Sequence, residues 1–256
     1  MNEKLSAYIS TRDYDMVTRE CVEWIKNWFA ENGPSSPAVI GISGGKDSSV
    51  VSALCKEALG KDRVFGVLMP NSVQPDIDYS RLLVDHLGIR HAEINIAEAV
   101  NGVRNSIRAG GLDFTEQMTI NLPPRIRMTT LYAVSQCMNG RVSNNCNLSE
   151  NYVGYSTIFG DAAGDFSPLA NLTVTEVKII GKCLGLPEMF IEKPPSDGLT
   201  DRTDEDNFGF SYETLDTYIL TGTCPDNAAK ALIEKRHNAN LFKLRPMPEF
   251  VFGTKE

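Results

Sequence analysis

The sequence predicts an α/β protein with a Rossmann-like, open and mostly parallel sheet that carries helices on both faces. Short apolar runs alternate with longer segments of helical periodicity, and a glycine-rich turn joins the first such run to the helix behind it. Apolar residues make up 42% and charged residues 23% of the 256-residue chain, which is ordinary for a globular protein with a sizeable core. We expect a single domain over residues 1–256.

The first elements are clearly marked in the sequence. Residues 13–30 place apolar side chains at helical spacing, and the turn-forming residues 32–34 end that helix. The apolar run 38–42 is typical of a buried parallel strand, and a helical pattern resumes behind the glycine-rich turn as far as Leu59. Right-handed crossovers between parallel strands place the ligand crevice at the carboxyl ends of the strands.

The same alternation continues through the rest of the chain. The predicted elements are a strand at 64–69, a helix at 76–87, a strand at 91–96, helices at 98–108 and 125–138, a short strand at 141–143, and helices at 173–184, 212–220 and 226–239. The polar segments 110–121 and 196–208 are long for connections, so we expect them to become ordered over ligands.

Composition and charge exclude several classes of protein. The formal net charge is −8, whereas a nonspecific nucleic-acid binder needs clustered lysine and arginine to neutralise phosphates. No apolar run approaches the roughly 20 residues of a membrane span, and residues 1–15 lack the apolar segment of a signal peptide. The six cysteines form no Cys-x-x-Cys pair, so we expect reduced thiols in a cytoplasmic protein. The three histidines have no metal-ligand spacing, which disfavours a zinc enzyme or a Ser-His-Asp hydrolase.

The glycine-rich turn is the most informative stretch. It reads Gly41-Ile42-Ser43-Gly44-Gly45-Lys46-Asp47-Ser48 and has neither the Walker nor the dinucleotide-binding glycine spacing. Adjacent glycines let backbone N–H groups turn inward, and the following helix directs its positive end at the same point. Ser43 and Ser48 add hydroxyls and Lys46 a positive charge, whereas Asp47 beside a phosphate requires a cation between them. The turn predicts a polyphosphate bound with Mg²⁺; the alternative is an ordinary glycine turn in which Asp47 caps the helix.

This turn resembles the pyrophosphate loop of the ATP pyrophosphatases, which split ATP between its α and β phosphates and adenylate a substrate. Further segments, in the same order along the chain, resemble those of the ammonia-dependent NAD synthetases. They are Asn121-Leu122-Pro123-Pro124-Arg125-Ile126-Arg127-Met128, Asn147-Leu148-Ser149-Glu150, Gly154-Tyr155-Ser156-Thr157-Ile158-Phe159-Gly160-Asp161, Asp165-Phe166-Ser167-Pro168-Leu169, Glu192-Lys193-Pro194-Pro195-Ser196 and Thr203-Asp204-Glu205-Asp206-Asn207-Phe208-Gly209. The resemblance runs from about residue 17 to 250 and implies the adenine nucleotide alpha hydrolase-like fold.

The resemblance implies a reaction and its partners. Deamido-NAD (nicotinic acid adenine dinucleotide) would be amidated to NAD through an acyl adenylate, with release of pyrophosphate and AMP. ATP would be the co-substrate and Mg²⁺ the cofactor, with the protein acting as a homodimer. Ammonia would come from solution or from a separate protein, because the chain leaves no room for a glutaminase domain.

The resemblance also assigns roles to the phosphate loop and its metal. Residues 41–48 would wrap the ATP phosphates, with Ser43, Lys46 and Asp47 at the reacting groups. Asp47 and Glu150 would together hold Mg²⁺. The alternative for Glu150 is an acid at a helix start, where it complements the helix dipole.

Other residues are assigned to the nucleotides. Ser196 replaces a family threonine that contacts ATP, while Arg125, Asp165 and Lys243 would contact deamido-NAD. Arg125 could instead be a surface arginine, although Pro124 before it favours a fixed helix start. The acidic residues 204–206 could be a solvated loop, and we assign them no catalytic role.

Five positions depart from the family pattern. They are Leu148, Ile158 and Val174 in place of lysines, Phe242 in place of a histidine and Asn145 in place of a threonine that contacts ATP. Losing cations from a phosphate site weakens anion binding by ~1–3 kcal/mol per charge-assisted contact. We therefore expect that another basic group compensates or that the substrate differs. Lys178, one helical turn after Val174, is a candidate for reaching back to the phosphates.

Two other functions stay open. One is an ATP pyrophosphatase that adenylates a different carboxylate or acceptor; the other is a catalytically degenerate protein that binds ATP or NAD without turnover. In the expected homodimer, Trp24, Trp28 and Phe29 of the first long helix could form part of the subunit contact. The alternative is that these aromatic side chains pack in the core of one subunit.

Overall fold

A four-stranded parallel sheet lies at the centre of the molecule. The structure is a computed structural model and describes residues 2–192, 203–250 and 252. The strands are β1 (Ala38–Gly41), β2 (Val64–Leu68), β3 (Arg90–Glu93) and β4 (Arg141–Val142). They lie in the order β3-β2-β1-β4, and each pairing is parallel. The α/β fold class is confirmed, and every described pairing of this sheet is parallel.

Twelve α-helices surround the sheet in the described part of the chain. They are α1 (Glu3–Ile9), α2 (Tyr14–Asn32), α3 (Lys46–Leu59), α4 (Ile77–Leu87), α5 (Ala97–Ala109), α6 (Glu116–Cys137), α7 (Leu148–Val153), α8 (Val174–Cys183), α9 (Glu188–Ile191), α10 (Asp204–Phe208), α11 (Tyr212–Thr221) and α12 (Asn227–Asn240). The sequence did not predict α1, α7, α9 or α10, because a helix of seven residues or fewer shows too little periodicity. No helix in the described ranges is long and apolar enough to cross a bilayer.

Alternating strand residues build two cores, one on each face of the sheet. In β1, Ala38 and Ile40 pack into a cluster with α2, α3, α4 and α8, whereas Val39 packs on the other face with α5 and α6. In β2, Leu68 and Val67 divide in the same way. This period of two explains why β1 and β2 are apolar throughout, since both of their faces are covered by helices.

Helix α6 begins nine residues earlier than the sequence predicts, at Glu116 instead of residue 125. Its N-cap is Thr115, whose hydroxyl oxygen accepts the N–H of Met118 (3.1 Å). Pro123 and Pro124 therefore lie inside the helix, and the prediction that Pro124 marks its start is wrong. The helix tolerates the two missing N–H groups because tertiary packing outweighs local propensity. Residues 116–121, expected to lie in a polar connection, belong to this helix.

The aromatic side chains of α2 divide between core and surface. Phe29 is buried, and the ring of Trp28 stacks on Phe166 with 5.1 Å between centroids. Both therefore pack within one subunit. Trp24 alone of the three is largely exposed.

Candidate active site

Gly44 determines the backbone path of the glycine-rich turn between β1 and α3. Its φ is +73°, a region that residues with a Cβ rarely adopt. A Cβ at Gly44 would lie 2.8 Å from the backbone nitrogen of Ser80 and 2.9 Å from Cβ of Tyr79. The turn is thus seated directly against α4, and only glycine satisfies both conditions.

Helix α3 begins without a side-chain cap. Its N-cap is Gly45, whose carbonyl accepts the hydroxyls of Ser48 (3.1 Å) and Ser49 (2.8 Å). The alternative in which Asp47 caps this helix is therefore wrong. The oxygen of Ser43 lies 3.2 Å from that of Ser48 and accepts the Gly45 N–H (3.3 Å). Uncapped first-turn N–H groups with hydroxyls beside them suit an anion.

Asp47 and Glu150 come together around the ammonium of Lys46. The Lys46 Nζ lies 2.9 Å from Oδ2 of Asp47 and 4.0 Å from Oε1 of Glu150. The other oxygen of Asp47 accepts a hydrogen bond from Nδ2 of Asn147 (3.0 Å). The fold therefore brings together two carboxylates that are far apart in the sequence, at the N-terminus of α3.

The position of Glu150 follows from a capping box at the start of α7. The Asn147 side chain accepts the Glu150 N–H (3.0 Å), and Oε2 of Glu150 accepts the Asn147 N–H (3.4 Å). Glu150 is thus an acid at a helix start, as one interpretation expected. Its other oxygen, Oε1, still faces Lys46, so the capping role and a role in the site are compatible.

Burial and mutual repulsion shape the charges of this group. Burial, and then the charge of Asp47, raise the pKa of Glu150 above its usual range. Burial alone would lower the pKa of Lys46, but the adjacent carboxylates of Asp47 and Glu150 outweigh it and raise that pKa. The two acids therefore favour the charged form of Lys46, whose ammonium offsets the repulsion between them.

Asp204 and Tyr212 complete this group, and sequence reasoning missed both. Asp204 is buried and accepts the phenol of Tyr212 (2.9 Å), whose ring centroid lies 5.3 Å from the Lys46 ammonium. The prediction that residues 204–206 form a solvated acidic loop is wrong for Asp204. The available signal was the capping box at Thr203, which makes this acidic run the first turn of a helix.

A buried hydrogen-bond network anchors α7 beneath the site. The fully buried carboxylate of Asp216 in α11 accepts the hydroxyl of Ser149, and also the N–H (2.8 Å) and hydroxyl (2.7 Å) of Thr175. Ser149 in turn accepts the N–H of Val174 (3.0 Å). Since Ser149 precedes Glu150, this network fixes the helix that carries the acid.

Replacing Asp216 with alanine should therefore destabilise the fold. The variant leaves the buried donors of Ser149 and Thr175 without an acceptor, and we expect a loss of about 2–4 kcal/mol in the free energy of unfolding. Urea denaturation followed by circular dichroism measures it. The control is Asp226→Ala, which removes an exposed N-cap of α12 and should cost only about 1 kcal/mol. Equal losses in both variants would contradict the anchoring role.

A second polar group lies where β4 ends. Asp165 accepts the N–H of Val142 (2.7 Å) with one oxygen and the phenol of Tyr132 (3.1 Å) with the other. Burial and the neighbouring Asp165 raise the pKa of Tyr132 to about 12, so the phenol stays a donor. Sequence reasoning predicted Asp165 but not Tyr132, because nothing in a helical pattern distinguishes a tyrosine that packs from one that binds.

A cavity of about 670 Å³ opens beside this group. It is lined by Tyr132, Ile158, Phe159, Ala162, Ala163, Gly164, Phe242, Lys243, Arg245, Pro246, Met247 and Pro248. The Lys243 ammonium donates to the carbonyls of Gly154 (2.8 Å) and Ser156 (2.9 Å), and Arg125 Nε donates to the carbonyl of Ile158 (3.3 Å). Lys243 thus lines the cavity itself. Arg125 and Asp165 each form a hydrogen bond with a residue that lines it. Ser196, the remaining predicted residue, lies outside the described residues.

Two of the five positions that depart from the family pattern have structural explanations. Val174 is buried in an apolar cluster with Phe208 and Tyr212, so a lysine there would need a different environment. Asn145 donates to the carbonyl of Gly41 (3.1 Å) and ties the end of β4 to the start of the glycine-rich turn. The Lys178 ammonium, expected to compensate, instead pairs with Glu192 at 2.7 Å.

The carboxylate oxygens of Asp47 and Glu150 are suitable ligands for a magnesium ion that is bound together with a nucleotide. Asp47 and Glu150 already converge on one cation, the Lys46 ammonium. No cluster of three or more potential metal ligands occurs within the described ranges. Mg²⁺ is commonly held by one or two carboxylates, with phosphate oxygens and water supplying the rest. Asp47 and Glu150, beside the glycine-rich turn, match this pattern of one or two carboxylates.

Comparisons with known proteins identify the family of this chain. The model of the NAD synthase family matches residues 17–251. The NH(3)-dependent NAD(+) synthetase of Finegoldia magna is 35% identical over 245 residues, which cover 95% of this chain and 99% of that protein. The solved NMN synthetase of Francisella tularensis superposes with a TM-score of 0.85 at 32% identity, covering 94% of this chain and all of that one (100%). The NH3-dependent NAD synthetase of Campylobacter jejuni gives a TM-score of 0.75 at 31% identity, with coverages of 94% and 99%.

The family model spans nearly the whole chain, a range that contains residues 41–48, Glu150 and the residues that line the cavity. The chain belongs to the NAD synthase family.

Proposed function

We propose that this protein is a ligase that amidates deamido-NAD to NAD with ammonia, at the expense of ATP. The observation that carries the proposal is the convergence of Asp47 and Glu150 on one cation beside the uncapped start of α3. A triphosphate placed there meets backbone donors, two hydroxyls and an ammonium. The family membership of the chain supports the same reaction.

The reaction balances in two steps. An oxygen of the nicotinate carboxylate attacks the α-phosphorus of ATP, which forms the acyl adenylate and releases pyrophosphate. Ammonia then attacks the acyl carbon, the bond to the AMP oxygen breaks, and the nitrogen loses a proton. Adenylation converts a poor acyl donor into one with a good leaving group.

The residues of the chain bind and align the two nucleotides. Ser43, Ser48 and the first-turn amides of α3 donate to the phosphates, and Lys46 adds a charge that neutralises them. Asp47 and Glu150 would hold Mg²⁺, which supplies charge stabilisation to the departing pyrophosphate when bound. This alignment of two large substrates in one geometry is a major source of rate enhancement.

The cavity beside Asp165 is the proposed site of the second nucleotide. Arg125 and Lys243 supply positive charge for its phosphates, and the Asp165 carboxylate accepts hydrogen bonds from hydroxyl or amide donors. The apolar lining of the cavity, which includes Phe159, suits an aromatic ring.

The Tyr132→Phe variant tests this assignment. The variant removes the hydrogen bond from Tyr132 that holds Asp165. We therefore expect the KM for deamido-NAD to rise about three- to tenfold, while the KM for ATP is unchanged. The matched control is Tyr218→Phe, which removes a similar phenol hydrogen bond to Glu234 (2.8 Å), a pair that does not line the cavity. A change in the KM for ATP alone would contradict the assignment.

A second candidate substrate is nicotinic acid mononucleotide, which the same chemistry would convert to NMN. The observation in its favour is the higher TM-score with the NMN synthetase, 0.85 against 0.75 for the NAD synthetase of similar identity. Both substrates present the same carboxylate to ATP, so the site at α3 is equally suited to either.

Pyrophosphate release from ATP tests the function and separates the two substrates. Purified protein is supplied with Mg-ATP, ammonium and either deamido-NAD or nicotinic acid mononucleotide. Release that depends on deamido-NAD supports the leading proposal, and release that depends on the mononucleotide supports the second. Tight ATP binding without release with either acid would contradict both.

We also propose that the protein acts as a homodimer in the cytoplasm. Met247 is 73% and Phe250 is 90% exposed, and apolar side chains of this size favour burial against a second copy. The cysteine thiols are free, which suits a reducing compartment. Light scattering tests the oligomeric state: a mass of one chain at micromolar concentration would contradict the dimer.

A further inference from the structure

The Lys46 ammonium occupies an unusual position for a lysine. Its side chain is only 5% exposed, and its Nζ lies 2.9 Å from Asp47 Oδ2 and 4.0 Å from Glu150 Oε1. The Tyr212 ring covers it on another side, 5.3 Å from the ring centroid. The two carboxylates remain partly open, at 18% for Asp47 and 16% for Glu150. Both acidic side chains therefore keep some contact with solvent, whereas Lys46 has almost none.

A divalent cation and this ammonium compete for the same oxygens. A metal ion bound by Asp47 and Glu150 needs the lone pairs that face Lys46. A metal ion and an ammonium that share the same carboxylate oxygens would repel each other strongly. The lysine must then leave, and its long flexible stem lets it do so while the backbone of α3 stays in place. The nearest other anion for its ammonium would then be a triphosphate bound in the adjoining glycine-rich turn.

We propose that Lys46 is a tethered counter-ion, which holds the place between Asp47 and Glu150 in the ligand-free protein and transfers to the triphosphate when Mg-ATP binds. The inference rests on the proposed function for the identity of that anion. In the free protein, Lys46 would thus offset the repulsion between these two neighbouring carboxylates, because the chain supplies its own cation.

The proposal also accounts for the missing cations of this chain. Leu148, Ile158 and Val174 stand where the family pattern has lysines, and Lys178 is engaged by Glu192. Lys46 lies in the phosphate loop itself and brings an ammonium to the site from a different element. A lysine released by metal binding supplies phosphate contact only when both ligands are present, which couples the two binding events.

The test measures metal affinity without any nucleotide. Mn²⁺ serves as the probe, and its binding to the ATP-free protein is followed by electron paramagnetic resonance. We expect Lys46→Met to bind Mn²⁺ at least about tenfold more tightly than the unmodified chain, because the competing ammonium is gone. In the presence of Mn²⁺, the same variant should bind ATP about tenfold more weakly.

Two further variants make the result decisive. Lys178→Met removes a lysine from another ion pair and should change neither affinity. The double variant Lys46→Met with Glu150→Gln should lose the gained Mn²⁺ affinity, which locates the metal at this pair. Lys46→Gln repeats the test should the methionine variant fail to fold.

The outcomes separate this inference from the proposed function. If Lys46→Met binds Mn²⁺ no more tightly than the unmodified chain does, Lys46 is not a counter-ion that competes with the metal. Unchanged ATP binding would overturn the transfer to phosphate. Neither measurement uses deamido-NAD or turnover. The Mn²⁺ and ATP affinities therefore still test the role of Lys46 if the amidation assay fails.

Discussion

The Asp47→Asn variant is expected to release pyrophosphate from ATP on the order of 10²- to 10³-fold more slowly than the unmodified protein. Asparagine keeps the shape of the side chain and can still pair with Asn147. It loses the negative charge that binds Lys46 at 2.9 Å and that would hold Mg²⁺ against the phosphates. The predicted loss is therefore in the chemical step and in metal affinity, with little change in the fold.

The matched control for Asp47→Asn is Asp78→Asn. Asp78 also lies in the first turn of a helix that follows a strand, but its side chain is 77% exposed and pairs with the exposed Arg81. We expect its activity to stay within about twofold, since exposed ion pairs contribute little. Initial rates at saturating ATP, with thermal unfolding of each variant, provide the comparison. Equal rates in Asp47→Asn and the unmodified chain would exclude Asp47 from the reaction.

The Gly44→Ala variant is expected to lose both stability and ATP binding. A residue with a Cβ at φ +73° carries a strain of about 1–2 kcal/mol. At Gly44 the new Cβ would also lie 2.8 Å from the backbone nitrogen of Ser80, which cannot move without shifting α4. We expect a total cost of about 3 kcal/mol or more, together with a displaced phosphate loop.

Gly88 provides the control for this backbone argument. Its φ is +62° and its ψ +31°, the left-handed region, but nothing lies within 4 Å of a Cβ built there. Gly88→Ala therefore carries the conformational strain without the collision and should cost about 1 kcal/mol. Urea denaturation and calorimetric titration with Mg-ATP measure both effects. If the two variants lose the same stability and bind ATP equally well, the contact between the loop and α4 is not what shapes the site.

The fold was largely predictable because periodicity survives in the long elements. The apolar run before the glycine-rich turn becomes β1, and its residues divide between two cores as a doubly covered strand requires. The start of α6 was not predictable from local rules. Pro123 and Pro124 mark a boundary in an isolated helix, but Thr115 caps the chain well before them, and the helix runs through both prolines.

The candidate site was predictable to differing degrees. Asp47 stands inside the glycine-rich turn, so its place in the sequence already located it beside the anion. Glu150 required the family resemblance, because no local rule brings an acid from the distant helix α7 to the start of α3. Asp204 was not predicted because an acidic run is most often solvated, whereas the structure shows this side chain buried and bonded to Tyr212.

Lys46 shows what a sequence motif leaves out. Its place in the loop predicted a positive charge for phosphate, and the structure instead finds its ammonium between Asp47 and Glu150. A flexible side chain can serve two anions in turn, and the sequence does not state which one holds it in the free protein. This information comes only from three-dimensional proximity.

The exchange of labelled pyrophosphate into ATP tests the central claim most directly, since it reports reversible adenylation without ammonia. The claim is that the loop of residues 41–48, with Asp47 and Glu150, aligns Mg-ATP for attack by a nicotinate carboxylate. Exchange should require Mg²⁺ and either deamido-NAD or nicotinic acid mononucleotide, and it should fall on the order of 10²-fold in Asp47→Asn. No exchange with either acid, or undiminished exchange in Asp47→Asn, would contradict the claim.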